Sequence, residues 1–388
     1  MTLSSIHSLL SFVGLISLTV AAGYAVLALL AVLIWQSRGS VKATVKLPPV
    51  TVLKPLCGAE PGLYENLRSF CQQDYPEFQI VFGVCDREDP ALSVVARLID
   101  EFPKLPIEVV VDPRQHGGNR KVSSLINMLG RARHDVLVMA DSDAYVGPDY
   151  LATVTTPLLD RKVGLVTCIY HGEPTQQIWS RLGAMYVNEW YMPSVLLARL
   201  FGHQGYASGQ TLCMRRETLQ GIGGLRAIAD HLADDYRLGE LIRGLGLRIA
   251  LSPYVPRAEH HEPTLDLLVR HEVRWMRTLR ILQPRSFGLI FFGFSVPLAL
   301  LGLLLCSIEA SPSMTARALF EVTLIARVAL HFAHRLRGER PLLADLWLLP
   351  VRDLLLCWVW WRTFFTSRIT WRGSEFDVDA HGIMRSSS

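Results

Sequence analysis

The sequence predicts an α/β domain on a mostly parallel sheet, set between apolar segments that contact a membrane. Three observations predict it. Short apolar runs alternate with helical patterns from Val50 to Thr167, as repeated strand–helix–strand units do. Acids stand just after those runs, at Asp86, Asp112, Asp141 and Asp143. No Asp, Glu, Lys or Arg occurs between Met1 and Ser37, and Ser8–Trp35 is nearly all apolar.

Residues 1–37 are expected to form one transmembrane helix, since about 20 consecutive apolar residues cross a bilayer. A cleaved signal peptide is disfavoured, because the start has no basic region and the apolar run is too long. Residues 48–285 form the α/β domain. Val50–Leu53 is its first strand, followed by a turn around Pro55-Leu-Cys-Gly58 and a helix over Leu63–Cys71. Phe78–Val84 is the second strand, and Pro90–Phe102 a helix with proline in its first turn. Ile107–Val111 is the third strand, Lys121–Arg133 a helix, Val136–Ala140 the fourth strand and Val163–Thr167 the fifth. Runs this short and apolar, bounded by polar breakers, suit a sheet buried on both faces. Residues 286–365 are expected to be a C-terminal membrane region. Phe287–Ile308 carries no charge, whereas Ala316–Phe332 and Leu342–Trp361 contain ionisable groups. Those two are compatible with spanning, re-entrant or interfacial helices. Trp358, Trp360 and Trp361 read as an interfacial aromatic belt. Residues 366–388 are a tail whose end, Arg385-Ser-Ser-Ser388, is expected to be disordered.

The 388 residues suffice for one large domain or two ordinary ones. Only 19% are charged, against roughly 25% in ordinary globular chains. Arg38, Lys42 and Lys46 follow the first apolar helix, and Arg277, Arg280 and Arg285 precede the next. The positive-inside rule then puts the central domain in the cytoplasm, with Arg277 and Arg280 facing lipid. A net charge of +4, clustered beside apolar segments, fits an anionic bilayer surface and not nucleic acid. The seven cysteines are scattered with no Cys-x-x-Cys, which excludes a zinc ribbon and fits buried thiols in a reducing compartment.

Asp141 and Asp143 flank Ser142 at the end of the fourth strand. Open α/β sheets bind ligands at the carboxyl ends of their strands. Two carboxylates there offer hard oxygen ligands to a divalent cation that also holds a diphosphate. Alone, the same tripeptide also describes a strand-end turn with solvated acids. Glu259-His-His-Glu262 has the residue types of a metal cluster, with His261 the candidate for an extra ligand.

Cys71-Gln-Gln-Asp-Tyr-Pro76 before a strand that leads to Asp86, followed by Asp141-Ser-Asp143, resembles the nucleotide-binding half of inverting family 2-type glycosyltransferases. Ala233-Asp-Asp-Tyr-Arg237 stands where those enzymes carry a Glu/Asp-Asp motif. His271-Glu-Val-Arg-Trp275 stands where they carry Gln/Arg-x-x-Arg-Trp. One helix before the domain and apolar segments after it resemble the layout of ceramide glucosyltransferases. Leu53-Lys-Pro-Leu-Cys-Gly58, Gly118-Asn-Arg-Lys-Val122 and Ala233–Gly239 are similar to the bacterial hopanoid-biosynthesis glycosyltransferases.

That resemblance implies a GT-A-like domain with a UDP-sugar donor, Mg²⁺ or Mn²⁺, and a hydroxyl of a membrane lipid as acceptor. It places Asp143 as direct metal ligand. Asp141 binds metal through water or holds a ribose hydroxyl, and Asp86 holds the uracil ring. Lys121 neutralises phosphate or is a solvated first-turn lysine. Asp235 matches the general base that the attacking hydroxyl needs, with Asp234 beside it. Adjacent helical positions point about 100° apart, so only one faces the sugar, and both acids also suit a helix N-terminus. Arg274 is placed on the diphosphate and Trp275 against acceptor or sugar. His271 departs from the family's Gln or Arg. Gly205–Gln210 suits close approach to the donor sugar, or a plain loop. UDP-N-acetylglucosamine and bacteriohopanetetrol are the implied substrates, in the inner membrane of a bacterium, with UDP-glucose and ceramide the rival pair. A processive polysaccharide synthase would need a channel of helices, and a nucleotide-binding transporter or scaffold would need repeated helical bundles.

Overall fold

The computed structural model describes residues 3–37, 47–308, 311–335, 343–365, 369–371, 374–379 and 382–386. Arg38, Lys42 and Lys46, and the terminal Ser387 and Ser388, lie outside them. The chain divides into two compact units. A sheet unit comprises residues 39–175, 203–261 and 368–388, and a helical unit comprises 1–38, 176–202 and 262–367. The stretch 48–285 therefore contributes to both.

In the sheet unit the strands are β1 Val50–Pro55, β2 Phe78–Val84, β3 Ile107–Val111, β4 Val136–Met139, β5 Ala144–Tyr145, β6 Val163–Thr167, β7 His171–Pro174, β8 Leu212–Arg215, β9 Arg248–Leu251 and β10 Arg257–His260. Seven form one sheet in the order β3-β2-β1-β4-β8-β6-β9. All its pairs are parallel except those of β8, which runs antiparallel to β4 and β6. The apolar runs of β1, β2, β4 and β6 are buried on both faces, as their lack of alternation implies, whereas the edge strand β3 leaves Val109 and Val111 exposed. Val52, Ile80, Phe82 and Val138 pack with Leu67, Phe70 and Leu98 on one side. Leu53, Val81, Leu137 and Met139 pack with Val122, Leu125 and Met128 on the other. Each such side chain stabilises by about 1.5–3 kcal/mol when fully buried, so four- to seven-residue strands suffice. The helix Arg120–Leu129 starts at Asn119, whose side chain accepts the Val122 N–H at 3.1 Å, and stops before Gly130, short of the expected Arg133. A second sheet, β5-β10-β7, begins directly after Asp143.

The tail was expected to end in disorder. Instead β11 Ile369–Trp371, β12 Ser374–Val378 and β13 Met384–Ser386 form an antiparallel sheet within the sheet unit. Arg385 and Ser386 are thus held by strand pairing to Asp377 and Phe376.

The helical unit opens with Leu3–Gln36, 34 residues long. At ~1.5 Å per residue it reaches about 50 Å, beyond the roughly 30 Å of a bilayer core. Its Gly14 lies against Gly302, where an added Cβ would meet the Gly302 carbonyl oxygen at 2.7 Å; small residues allow helices to approach this closely. The expected second span, Phe287–Ile308, is not one helix. It runs as a short helix and a 3₁₀ turn to Gly293, then bends by 70° into Ser295–Cys306. Gly288 and Gly293 weaken the first half as a helix. Among the described residues one helix, Ser5–Gln36, is long and apolar enough to cross a membrane, or two if the bent pair is one span. Helices Met314–Arg335 and Leu349–Arg362 turn Arg327, Arg352 and Asp353 inward and leave Arg317, Glu321 and Arg362 exposed. Arg327 pairs with Asp353 at 2.9 Å and Glu189 at 2.6 Å, and Arg352 forks onto Glu272. Arg277, expected to face lipid, is buried, and Arg280 donates to the Thr363 carbonyl.

Candidate active site

Register builds the site. Leu53 stands opposite Met139, and Ala140 N–H donates to the Leu53 carbonyl at 3.3 Å. The next residue on β1, Lys54, therefore lies beside Asp141. Its Nζ donates to the Asp141 carbonyl at 2.5 Å and sits 3.7 Å from the Phe70 ring centre. Lys54 is fully buried, and burial pulls its ammonium down to about 7 against the opposing pull of Asp143 and Asp141. The backbone that presents Asp141 is thus pinned by an ammonium from the neighbouring strand.

The carboxylates converge on a second lysine. Lys121, in the first turn of its helix, contacts Asp141 at 2.6 Å and Asp234 at 3.6 Å. Burial works against its charge, but Asp141, Asp234 and Asp235 together hold the ammonium above its ordinary range. It is an ion-cluster lysine, not a solvated one. Asp234 and Asp235 open the helix Asp234–Gly244. Asp235 accepts the Gly209 N–H at 3.0 Å with one oxygen and the Tyr236 N–H at 2.7 Å with the other. Burial, and then Asp234, push its carboxyl up to about 6. Gly209 is where the loop comes closest: a Cβ there would lie 2.7 Å from Lys121 Nζ and 2.8 Å from an Asp141 oxygen. Asp143 accepts from Gln210 Nε2 at 3.0 Å. Burial, and then Asp141, push it up to about 6.

Asp86 and Asp112 follow β2 and β3 at the same strand-end edge as Asp141, because β1 to β4 are parallel neighbours. Asp86 is exposed and accepts the Glu88 N–H at 3.0 Å, and Asp112 is taken up by Arg114 at 2.6 Å. His271, Arg274 and Trp275 belong to the helical unit, on the helix Leu265–Leu282. There His271 Nδ1 meets Glu262 at 3.0 Å, its ring lies 4.0 Å from that of Trp275, and Arg274 is half-buried. His261 is exposed. Among the described residues no three His, Cys, Asp or Glu side chains form a metal cage. The paired acids Asp141 and Asp143 fit a hard divalent cation that completes its shell with diphosphate oxygens and water, as Mg²⁺ does.

A sequence model of Glycosyl transferase family 21 matches residues 13–384. The chain belongs to this family. Its similarity to ceramide glucosyltransferase 1 of Caenorhabditis elegans is 25% identity over 252 residues, 65% of this chain and 54% of that protein. The ceramide glucosyltransferase of Pyricularia oryzae is 31% identical over 114 residues, 26% of this chain and 23% of that protein. The chain spans about half the length of the first of these relatives. A mannosyltransferase from Pyrobaculum calidifontis, solved with GDP-Man and Mn²⁺, superimposes with a TM-score of 0.52 at 20% identity, over 92% of this chain and 99% of that one. The family 21 chain is therefore related to ceramide glucosyltransferases and has a GT-A-like fold.

Sequence reasoning named the acids and Lys121, reached Gln210 and Glu262 only as the ends of Gly205–Gln210 and Glu259-His-His-Glu262, and gave Lys54 no role. A lysine inside the apolar run Val50–Leu56 was the available signal, since a buried charge in a strand end needs partners.

Proposed function

We propose that this family 21 enzyme transfers one hexose from a UDP-sugar to a hydroxyl of a membrane lipid, with inversion. The observation that carries the reading is the convergence of Asp141, Lys121, Asp234 and Asp235 beneath Gly209 at the end of β4. Asp86 holds the uracil ring, and Asp141 and Asp143 hold Mg²⁺ or Mn²⁺ against the diphosphate. The cation, when bound, supplies charge that offsets the leaving group's. Lys121 fixes the Asp141 carboxylate and adds positive charge beneath the diphosphate. Asp235 takes the proton of the acceptor hydroxyl as its oxygen bonds to the anomeric carbon and the bond to UDP breaks. A carboxyl raised to about 6 is better matched to that task near neutral pH than an ordinary one. Within the helical unit, Glu262 orients His271 beside Trp275.

Kinship with ceramide glucosyltransferases favours a ceramide-like acceptor with UDP-glucose. The pair bacteriohopanetetrol and UDP-N-acetylglucosamine rests on motif likeness alone. The helix Ser5–Gln36 supports an enzyme anchored in a membrane, and the basic residues before Phe287 favour a cytoplasmic sheet unit; a bacterial inner membrane rests on the motif likeness alone. The test is mass spectrometry of lipids after incubation of purified protein with UDP-sugars, ceramide and bacteriohopanetetrol. One added hexose per lipid is expected. A polymer, or donor hydrolysis with no lipid product, overturns the proposal.

A further inference from the structure

The helix that presents Asp234 and Asp235 starts without a capping side chain: Ala233 occupies its N-cap. Its two leading acids repel each other. The acids favour a helix start here through the macrodipole, and the structure adds a further constraint on where it begins, in two layers.

The first layer is the loop before Lys121. Asn119 N–H donates to the Ala229 carbonyl at 2.8 Å and its side-chain amide to the His231 carbonyl at 2.9 Å. Gly118 N–H donates to the Asp230 carboxylate at 2.8 Å. The second layer is the tail. Leu232 N–H donates to the Gly382 carbonyl at 2.9 Å, and Met384 N–H to the Asp230 carbonyl at 2.8 Å. His231 pairs antiparallel with Ile383. The segment 230–232 is thus zipped to the start of β13, two residues before Asp234. Gly382 adopts φ +79°, a conformation that favours glycine, and so turns the tail into this pairing. Met384 is buried and also touches the other loop: a Cβ on Gly118 would lie 3.4 Å from Met384 Cβ. One residue of the tail therefore contacts both loops that lead to the Lys121–Asp234 ion pair.

We propose that Gly382–Met384 is a clasp that sets the spacing between Lys121 and the Asp234–Asp235 pair, making the tail a positioning element for glycosyl transfer. This rests on the assignment of Asp235 and Lys121 above. Residues that act through others still matter greatly, since a misplacement of about 1 Å costs on the order of 10²-fold in rate.

The experiment uses the full chain in detergent, with Met384→Ala, Met384→Leu and Gly382→Ala, each checked by thermal melting. Hydrogen exchange of residues 229–238 is read beside kcat and the KM for the UDP-sugar. Met384→Ala is expected to speed exchange in that segment and lower kcat about tenfold, with the smaller change in KM, as for loss of alignment. Met384→Leu restores both readouts. Gly382→Ala, which strains the turn without removing a contact, follows Met384→Ala in direction. Unchanged exchange in both loosening variants overturns the clasp, and so does faster exchange with kcat intact. Failure of the base assignment reads differently: Asp235→Asn would keep full kcat, while the exchange and kcat responses of Met384→Ala still decide the clasp.

Discussion

Replacing Asp235 with asparagine separates chemistry from architecture. General-base loss costs on the order of 10²–10⁴-fold, about 3–5 kcal/mol of transition-state stabilisation. The same change is expected to leave the fold as stable or more so. In the folded chain the carboxyl sits at about 6 against an ordinary 3.8, through burial and then Asp234. At ~1.4 kcal/mol per pH unit, less screening at a partly exposed side chain, ionisation opposes folding by roughly 1–3 kcal/mol. Asparagine removes that charge but turns an amide donor towards the Gly209 or Tyr236 N–H, which costs on the order of 1 kcal/mol. The balance runs from about zero to +2 kcal/mol in favour of the variant. Its sign with pH is fixed: a raised folded pKa gives stability that is complete below pH ~4 and is lost as pH rises through ~6. The variant's advantage therefore appears at pH 7.5 and closes at pH 4. Single-turnover transfer, and thermal unfolding at both pH values without metal or donor, measure this. Transfer within threefold of the parent refutes the base assignment, and a variant that loses activity and stability together refutes the electrostatic argument.

Chelation by EDTA is expected to abolish transfer, Mg²⁺ or Mn²⁺ to restore it, and Asp143→Asn to weaken metal-dependent UDP binding in calorimetry with the melting temperature preserved; full activity in metal-free buffer contradicts this. Gly209→Ala forces a methyl within 2.7 Å of Lys121 Nζ and 2.8 Å of Asp141, so transfer falls by about tenfold or more, and a near-parental rate shows that the loop does not approach the reacting groups. The protein is expected to stay in the membrane fraction during alkaline carbonate washing, and removal of residues 1–37 to weaken that retention; extraction of the parent chain contradicts the anchoring role of Ser5–Gln36.

The parallel half of the sheet was legible because β1, β2 and β4 are buried on both faces and leave short, mostly apolar runs, and the edge strand β3, only partly buried, keeps the same apolar bias. The acids after them were legible because parallel strands share one carboxyl edge. β8 was not, since Leu212–Arg215 is short and gains its place only from neighbours on both sides. Phe287–Ile308 misled because an uncharged run says nothing about the bend at Phe294. Arg277 misled in the opposite way: a basic residue beside an apolar segment reads as a lipid-facing group, yet helix packing buries it. The tail failed for a third reason. Its order depends on pairing with residues 230–232, more than 140 positions upstream, a contact that local composition does not encode.

The position of β8 has a consequence for how the chain is made. It lies between β4 and β6 in the sheet, yet it is synthesised only after the excursion through residues 176–202 into the helical unit. Until Leu212–Arg215 emerges from the ribosome, β4 and β6 each keep an open edge, and open edges invite wrong partners. The catalytic sheet closes from its middle, and only after part of the helical unit has been laid down.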